Sequence, residues 1–257
     1  MTTTGSDAPV AILEPDRSDL GRFVDALFRY ADKGGFAQLR AFRDDIDGPW
    51  NSAEWPVVKF NGDGLEPLVD AAFAFAGRCA AASDRVVFAP PVATFKTSGT
   101  AAEKDIFNGL VLSVECDQQA AVARQQLEAL IGPATIVVES GGTWVDPATG
   151  EISPKLHLHW RLSVRTRDFR DHVQLKEARR LAKILTGADG TAVPLVHPLR
   201  WPGSWHRKGE PRLVRIVADN PDREIDLVDA LDVLREAVDA MGATTSPRTA
   251  SACGGGS

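Results

Sequence analysis

Leu199-Arg200-Trp201-Pro202-Gly203-Ser204-Trp205-His206-Arg207-Lys208 gathers four hydrogen-bond donors, Arg200, Ser204, His206 and Lys208, around a proline-glycine corner. Proline fixes its own φ and glycine tolerates the reversal, so such a corner holds nearby donors at set positions, as recognition of a phosphate requires. A β-hairpin with Trp201 and Trp205 packed inward is an equally good local reading and is compatible with the first. Working outward, two upstream segments give the corner its context. Val111-Leu112-Ser113-Val114-Glu115-Cys116-Asp117 is an apolar run ending in two carboxylates at alternate positions, and Lys155-Leu156-His157-Leu158-His159-Trp160 alternates polar with apolar. On strands, alternate side chains share a face, which pairs Glu115 with Asp117 and aligns Lys155, His157 and His159.

Carboxylates at i and i+2 on one strand face can reach a common divalent cation, and hard oxygen donors suit Mg2+ or Mn2+. They can equally be strand-end surface acids, with Asp117 capping a helix that starts at Gln118. His157, with Lys155 and His159, could donate to a phosphate, or the two histidines could ligate a transition metal as in some hydrolases. Ser140-Gly141-Gly142 follows a strand, and its glycines allow close backbone approach to a phosphate or a nucleic acid, or simply form a tight turn.

The chain has 257 residues, 44% hydrophobic and 25% charged, enough to bury one substantial core. Its net charge is -6, but from Lys155 to Arg215 there are 14 basic and 5 acidic residues, leaving the remainder strongly acidic. A local basic region beside acids suits a polyanion site with bound cations. Arg179, Arg180 and Lys183, at helical spacing, read alternatively as a solvated helix face. Cys79, Cys116 and Cys253 show neither metal-ligand spacing nor disulfide density, and Cys116 alternates with the acids, so it points into the core. No basic apolar leader and no run of about 18 apolar residues is present, which predicts a cytoplasmic protein without a membrane partner.

Apolar spacing predicts helices over 19–31, 65–82, 118–131, 168–185 and 225–241, and strands over 85–89, 109–116, 134–139 and 212–217 besides the histidine strand. Gly141 to Pro154, with Asp146-Pro147-Ala148-Thr149-Gly150, reads as an excursion between strands. The alternation predicts an α/β or α+β domain with helices covering a mixed sheet. Residues 1–17 and 244–257 read as tails, 18–84 as a mainly helical N-terminal part, and 85–243 as the core of a single domain.

In order and character these segments resemble the archaeo-eukaryotic primase superfamily, particularly plasmid and prophage primase-polymerases, across about Val86 to Val217. Glu115-Cys116-Asp117 resembles the family's acidic strand motif, Ser140-Gly141-Gly142 and Leu156 to Trp160 its histidine motif with His157 at the motif position, and Arg200 to Lys208 its arginine-proline-glycine segment. The resemblance implies a primase-polymerase fold with a mixed, RRM-like sheet core flanked by helices. It also implies metal-dependent, template-directed nucleotide addition in plasmid, phage or mobile-element replication. Glu115 and Asp117 would hold Mg2+ or Mn2+, with His157 catalytic beside them. Lys155, His159, Arg200, Ser204, His206, Lys208 and Ser140 would bind the nucleoside triphosphate. Single-stranded DNA would be the template, with a replicative helicase as a further partner, since the chain holds no Gly-x-x-x-x-Gly-Lys-Ser/Thr loop of its own. The sequence departs from the family in two places: the aspartate that precedes the Arg-Pro-Gly corner falls near Pro194, leaving Asp189 as the nearest third metal carboxylate, and an insertion separates Gly142 from Lys155. Two other readings stand beside this one: an impaired primase-like module that binds nucleotide or single-stranded DNA, and a metal hydrolase built on His157 and His159.

Overall fold

The computed structural model describes residues 13–43, 48–188 and 190–245. Its elements in chain order are α1 (Arg17–Phe28), β1 (Phe36–Gln38), β2 (Ala41–Arg43), β3 (Gly48–Pro49), β4 (Val57–Lys59), α2 (Glu66–Ala81), β5 (Val86–Phe88), β6 (Ala93–Phe95), β7 (Ile106–Cys116), α3 (Ala120–Ile131), β8 (Ile136–Val145), β9 (Ile152–Thr166), α4 (Phe169–Thr186), β10 (Trp205–His206), β11 (Arg212–Leu213), β12 (Arg215–Asp219) and α5 (Leu227–Thr245). α1 begins earlier than its apolar spacing predicts because the Asp16 side chain accepts from the amides of Ser18 and Asp19, a helix N-cap.

Seven strands form one sheet in the order β12-β8-β9-β7-β6-β1-β4. The expected mixed sheet is antiparallel in every one of its strand pairings. The reason is topological. β7 and β8 are joined through α3 and run the same way, but β9 returns by a hairpin from β8 and inserts between them, so each pairs with β9 antiparallel. The stretch read as an excursion is mostly the arms of that hairpin, with the turn confined to Asp146 through Gly150, where Asp146 accepts from Ala148 and Thr149 and Gly150 takes positive φ. The N-terminal part is less helical than expected: β1 and β4 extend the main sheet, and β2 pairs with β3 on one side and β5 on the other in a second, three-stranded sheet. Three-residue strands are too short for alternation to mark them in sequence.

β7 and β9 separate two cores. Leu112, Val114 and Cys116, opposite Trp160, Leu158 and Leu156, face α3, α4 and α5. Val111, Ile136 and Val138 lie on the other face with α1 and α2. Cys116 takes the expected inward place, and burial pushes its thiol up to about 12. Trp201 is fully buried in this second core, where its ring meets Phe23, Phe28 and Phe88 at centroid distances of 5.2, 5.4 and 5.7 Å.

Much of the basic excess serves this architecture. Arg161 is buried and donates to Ala26 O, Pro221 O and Glu224. Arg179, read as a candidate for the solvated face, is also buried; it donates to Pro194 O at 2.9 Å, and desolvation lowers its pKa to about 10. Arg165 and Arg167 converge on Asp32, which also accepts from Asn108 Nδ2 and so ties the end of β9 to the loop after α1. These arginines hold the Asp32 carboxyl well below the usual carboxylate range. A depressed carboxyl stabilises the fold above its unfolded pKa, about 3.9, and that stability is lost as pH falls through the folded value. Asp32→Asn should therefore cost about 1–2 kcal/mol at neutral pH and progressively less below about pH 4, read by urea unfolding of parent and variant across pH.

Candidate active site

The β7–β9 register places Glu115 opposite His157 and Ser113 opposite His159, all on the α1 face of the sheet. Glu115 and Asp117 share that face as expected. Asp117 caps no helix: the N-cap of α3 is Gln119, in the left-handed region without a side-chain cap bond. The Asp117 carboxylate instead meets Lys155 Nζ at 2.8 Å.

Glu115 lies between two imidazoles. His157 Nε2 is 3.4 Å from its Oε1, an ion-pair distance without hydrogen-bond geometry, and His197 Nε2 is 3.0 Å from its Oε2. Burial works to raise the carboxyl, but His157 and His197 prevail and hold it well below the ordinary range. His157 is 1% exposed, and its Nδ1 has no hydrogen-bond partner among the described residues. A buried, unsatisfied donor or acceptor beside a cleft is costly unless a ligand meets it.

His197 is absent from the sequence reading, and the structure explains why. Near Pro194, where the resemblance calls for an aspartate, the chain makes a turn. Pro194 O accepts from the His197 amide at 3.0 Å and from buried Arg179, while the Leu195 amide donates to Glu103. The turn thus presents His197, three residues later, to Glu115. Neither residue spacing nor composition marks it, because its partner Glu115 lies 82 positions away. Asp189, the expected third carboxylate, lies outside the described residues.

A cleft of about 500 Å³ opens over the acids, lined by Glu115, Asp117, Lys155, Arg200, His206 and Lys208 with Gly142 and Arg212. A smaller recess of about 190 Å³ adjoins it, sharing Glu115 and Arg200 and adding His157 and Phe42. Six of the residues read from sequence therefore meet in one place, and His157 reaches it from the recess.

Three do not. His159 is fully buried, held by Ser113 Oγ at 2.9 Å and by Phe23 edge-on at 5.4 Å. Burial drives its pKa well below the usual value, so the ring is neutral and packs behind His157. This removes the His157-His159 metal pair on which the hydrolase reading rested. Ser204 is buried, with its hydroxyl donating to Trp201 O at 2.6 Å inside the corner. Ser140 is buried as well and donates to Lys155 O. The glycines after it make space for side chains. A Cβ on Gly141 would stand 2.5 Å from His206 Cβ, and one on Gly142 would stand 2.9 Å from the Lys155 stem that leads to Asp117.

The corner itself is braced on every side. Gly203 takes φ +81°, its carbonyl accepts from the Asp16 amide at 2.8 Å, and its own amide donates to Val214 O at 2.8 Å. Trp201 Nε1 donates to Pro90 O, Trp205 Nε1 to Glu14 O, and Arg207 to Cys79 O and Asp84 O. Trp205 and His206 pair with Leu213 and Arg212 as the hairpin the sequence suggests.

Among the described residues, no three His, Cys, Asp or Glu side chains are grouped so as to hold a metal ion. The chemistry of the donors nonetheless suits a divalent cation. Two carboxylates point into the cleft, and nitrogen groups of the protein, Lys155 Nζ and the imidazoles of His157 and His197, stand against their oxygens where a cation would bind.

No protein-family model matches the sequence, and no curated protein is similar to it. Solved structures are. The archaeo-eukaryotic primase domain of the cyanophage S-2L primase-polymerase is similar at 15% identity and a TM-score of 0.54, over 86% of this chain and 98% of that one. The catalytic domain of the primase RepB′, solved with initiator DNA, is similar at 11% identity and a TM-score of 0.56, over 90% and 98%. A further RepB′ primase structure, at 12% identity and a TM-score of 0.55, is matched over 89% of this chain and 64% of its own. The fold is that of the archaeo-eukaryotic primase-polymerase catalytic domains. No described helix is long and apolar enough to cross a membrane.

An added methyl at Gly203 would lie 2.2 Å from Asp16 O in a backbone conformation unfavourable to other residues. Gly203→Ala should cost more than about 1 kcal/mol, lowering Tm by several degrees in a thermal melt.

Proposed function

We propose that this chain is a primase-polymerase catalytic domain, a nucleotidyltransferase that adds nucleotides on a single-stranded DNA template. One observation carries the reading: the i, i+2 acid pair that ends β7, His157, and the corner's Arg200, His206 and Lys208 converge on two adjoining hollows. Acids alone would fit many metal enzymes; acids facing a cluster of phosphate donors fit transfer to or from a polyphosphate.

Glu115 and Asp117 would hold Mg2+ or Mn2+, which when bound neutralises the triphosphate and activates the attacking hydroxyl. Arg200, His206 and Lys208 bind the triphosphate oxygens, and rigid bracing of the corner limits the entropy lost when they do so. His157, with an unpartnered Nδ1 at the recess, orients the same nucleotide. Lys155, 2.8 Å from Asp117, would be able to meet a phosphate oxygen if a cation held that carboxylate. The cleft's cations contact backbone rather than base edges, giving sequence tolerance and strong salt dependence. Similarity in fold to a primase solved with initiator DNA supports this direction of the reading. Action in plasmid or phage replication beside a helicase belongs to the same proposal.

A second reading has an observation of its own. Asp117 is engaged by Lys155, and no third carboxylate accompanies Glu115 and Asp117 at the acid pair among the described residues, as a nucleotide-binding module with impaired catalysis would show. Nucleotide incorporation on a single-stranded template, with Mn2+ or Mg2+ and with or without primer, separates the two. Polymerase activity should fall about 10²-fold or more in Glu115→Ala/Asp117→Ala, and products without primer identify a primase. Metal-dependent nucleotide binding without incorporation by the folded parent selects the binding module.

A further inference from the structure

We propose that His197 is itself a ligand of the divalent cation, and that its imidazole biases the site toward Mn2+ over Mg2+. The inference rests on the metal-dependent reading above and adds to it a residue and a selectivity.

Its first support is distance. Two ligands in cis positions about 2.1 Å from an octahedral ion stand about 3.0 Å apart. His197 Nε2 and Glu115 Oε2 are 3.0 Å apart, with the ring nitrogen already turned to the carboxylate. Coordination therefore requires little movement of either side chain.

The second support is that the turn is built to hold this ring. Pro194 O is fixed by Arg179, which is buried and donates from within α4, and the Leu195 amide is fixed by Glu103, itself paired with Lys176. Leu195 is 2% exposed, which anchors the turn in the core behind the site. His197 retains 19% side-chain exposure, with its Nε2 turned to Glu115. A buried arginine spent on one carbonyl is an expensive device for a surface turn. It is intelligible if the residue presented by that turn must keep its place.

The third support is chemical. The further carboxylate lining the cleft, Glu210, sits on the exposed β10–β11 turn. Glu115 and His197 then offer one oxygen and one nitrogen to the ion. Mg2+ takes oxygen ligands in near-ideal octahedral geometry and sheds water reluctantly, whereas imidazole suits first-row transition ions. His157, 3.4 Å from the other Glu115 oxygen, is the competing nitrogen, and the test must separate the two.

The full chain loaded with Mn2+ is examined by electron paramagnetic resonance with pulsed detection of nitrogen couplings, beside Mn2+ and Mg2+ titrations. Thermal melts verify that each variant folds. The parent should show a ¹⁴N coupling that disappears in His197→Asp and persists in His157→Gln. His197→Asp should also narrow the Mn2+/Mg2+ affinity ratio about tenfold, since a carboxylate restores an all-oxygen set. Persistence of the coupling in His197→Asp, its loss in His157→Gln alone, or an unchanged affinity ratio would overturn the assignment while leaving the metal site standing. Equal Mn2+ binding by the parent and by Glu115→Ala/Asp117→Ala would overturn the metal-dependent reading and this assignment together.

Discussion

The register between β7 and β9 is the constraint on which the rest depends. Because side chains alternate along a strand, a slip of one residue would turn Leu112, Val114 and Cys116 toward α1 and bury Glu115 against α3 and α5. The hydrophobic pattern of both strands forbids that slip, since each contributes four apolar residues to the same core. What remains on the opposite face, Ser113, Glu115, His157, His159 and Arg161, is polar and must be satisfied individually. Arg161 is satisfied by carbonyls and Glu224, and His159 Nδ1 by Ser113. Only toward the strand end, at Glu115 and His157, does satisfaction fall to groups that border open space.

This gradient along one sheet face explains why two histidines of the same strand have different characters. His159 lies under Phe23 of α1, and Phe23 also packs against Trp201 of the proline-glycine corner. The helix therefore seals the inner histidine and supports the corner with the same side chain. One turn of helix and one indole couple the placement of Arg200 and His206 to the position of β9. The fold thus relates the corner donors to the acids through packed aromatic rings, which resist deformation better than a polar surface contact would.

The acid pair, His157 and the corner were legible because each chemistry-bearing residue lies in a short segment with its own periodicity or punctuation. Ser140 and His159 were misjudged for a related reason: alternation gives the face of a residue but not its depth along that face, and α1 covers one end only. His197 was invisible because its role comes from a turn closed by Arg179 and Glu103, both distant in sequence. Arg161 and Arg179 entered the count of basic residues as surface charge, yet each is spent on carbonyl groups inside the protein. A charge count weighs them equally with Lys208, although only Lys208 borders the cleft. The short strands β1 and β4 carry no pattern long enough to announce them.

Electrostatics give the cleft its direction. Glu115 is buried enough that its charge would be costly alone, and the surrounding imidazoles remove that cost within the protein itself. Asp117 is more exposed and needs less help, yet Lys155 supplies it across the sheet, from the stem for which Gly142 leaves room. The acids therefore meet a lysine and two imidazoles on movable side chains, rather than arginines fixed in the core. On the proposed reading, Glu115 and Asp117 would hold the cation, and Lys155, released from Asp117, would meet an oxygen of the triphosphate. Exchange of partners would then leave Asp117 and Lys155 each beside an opposite charge, which limits the desolvation cost of binding.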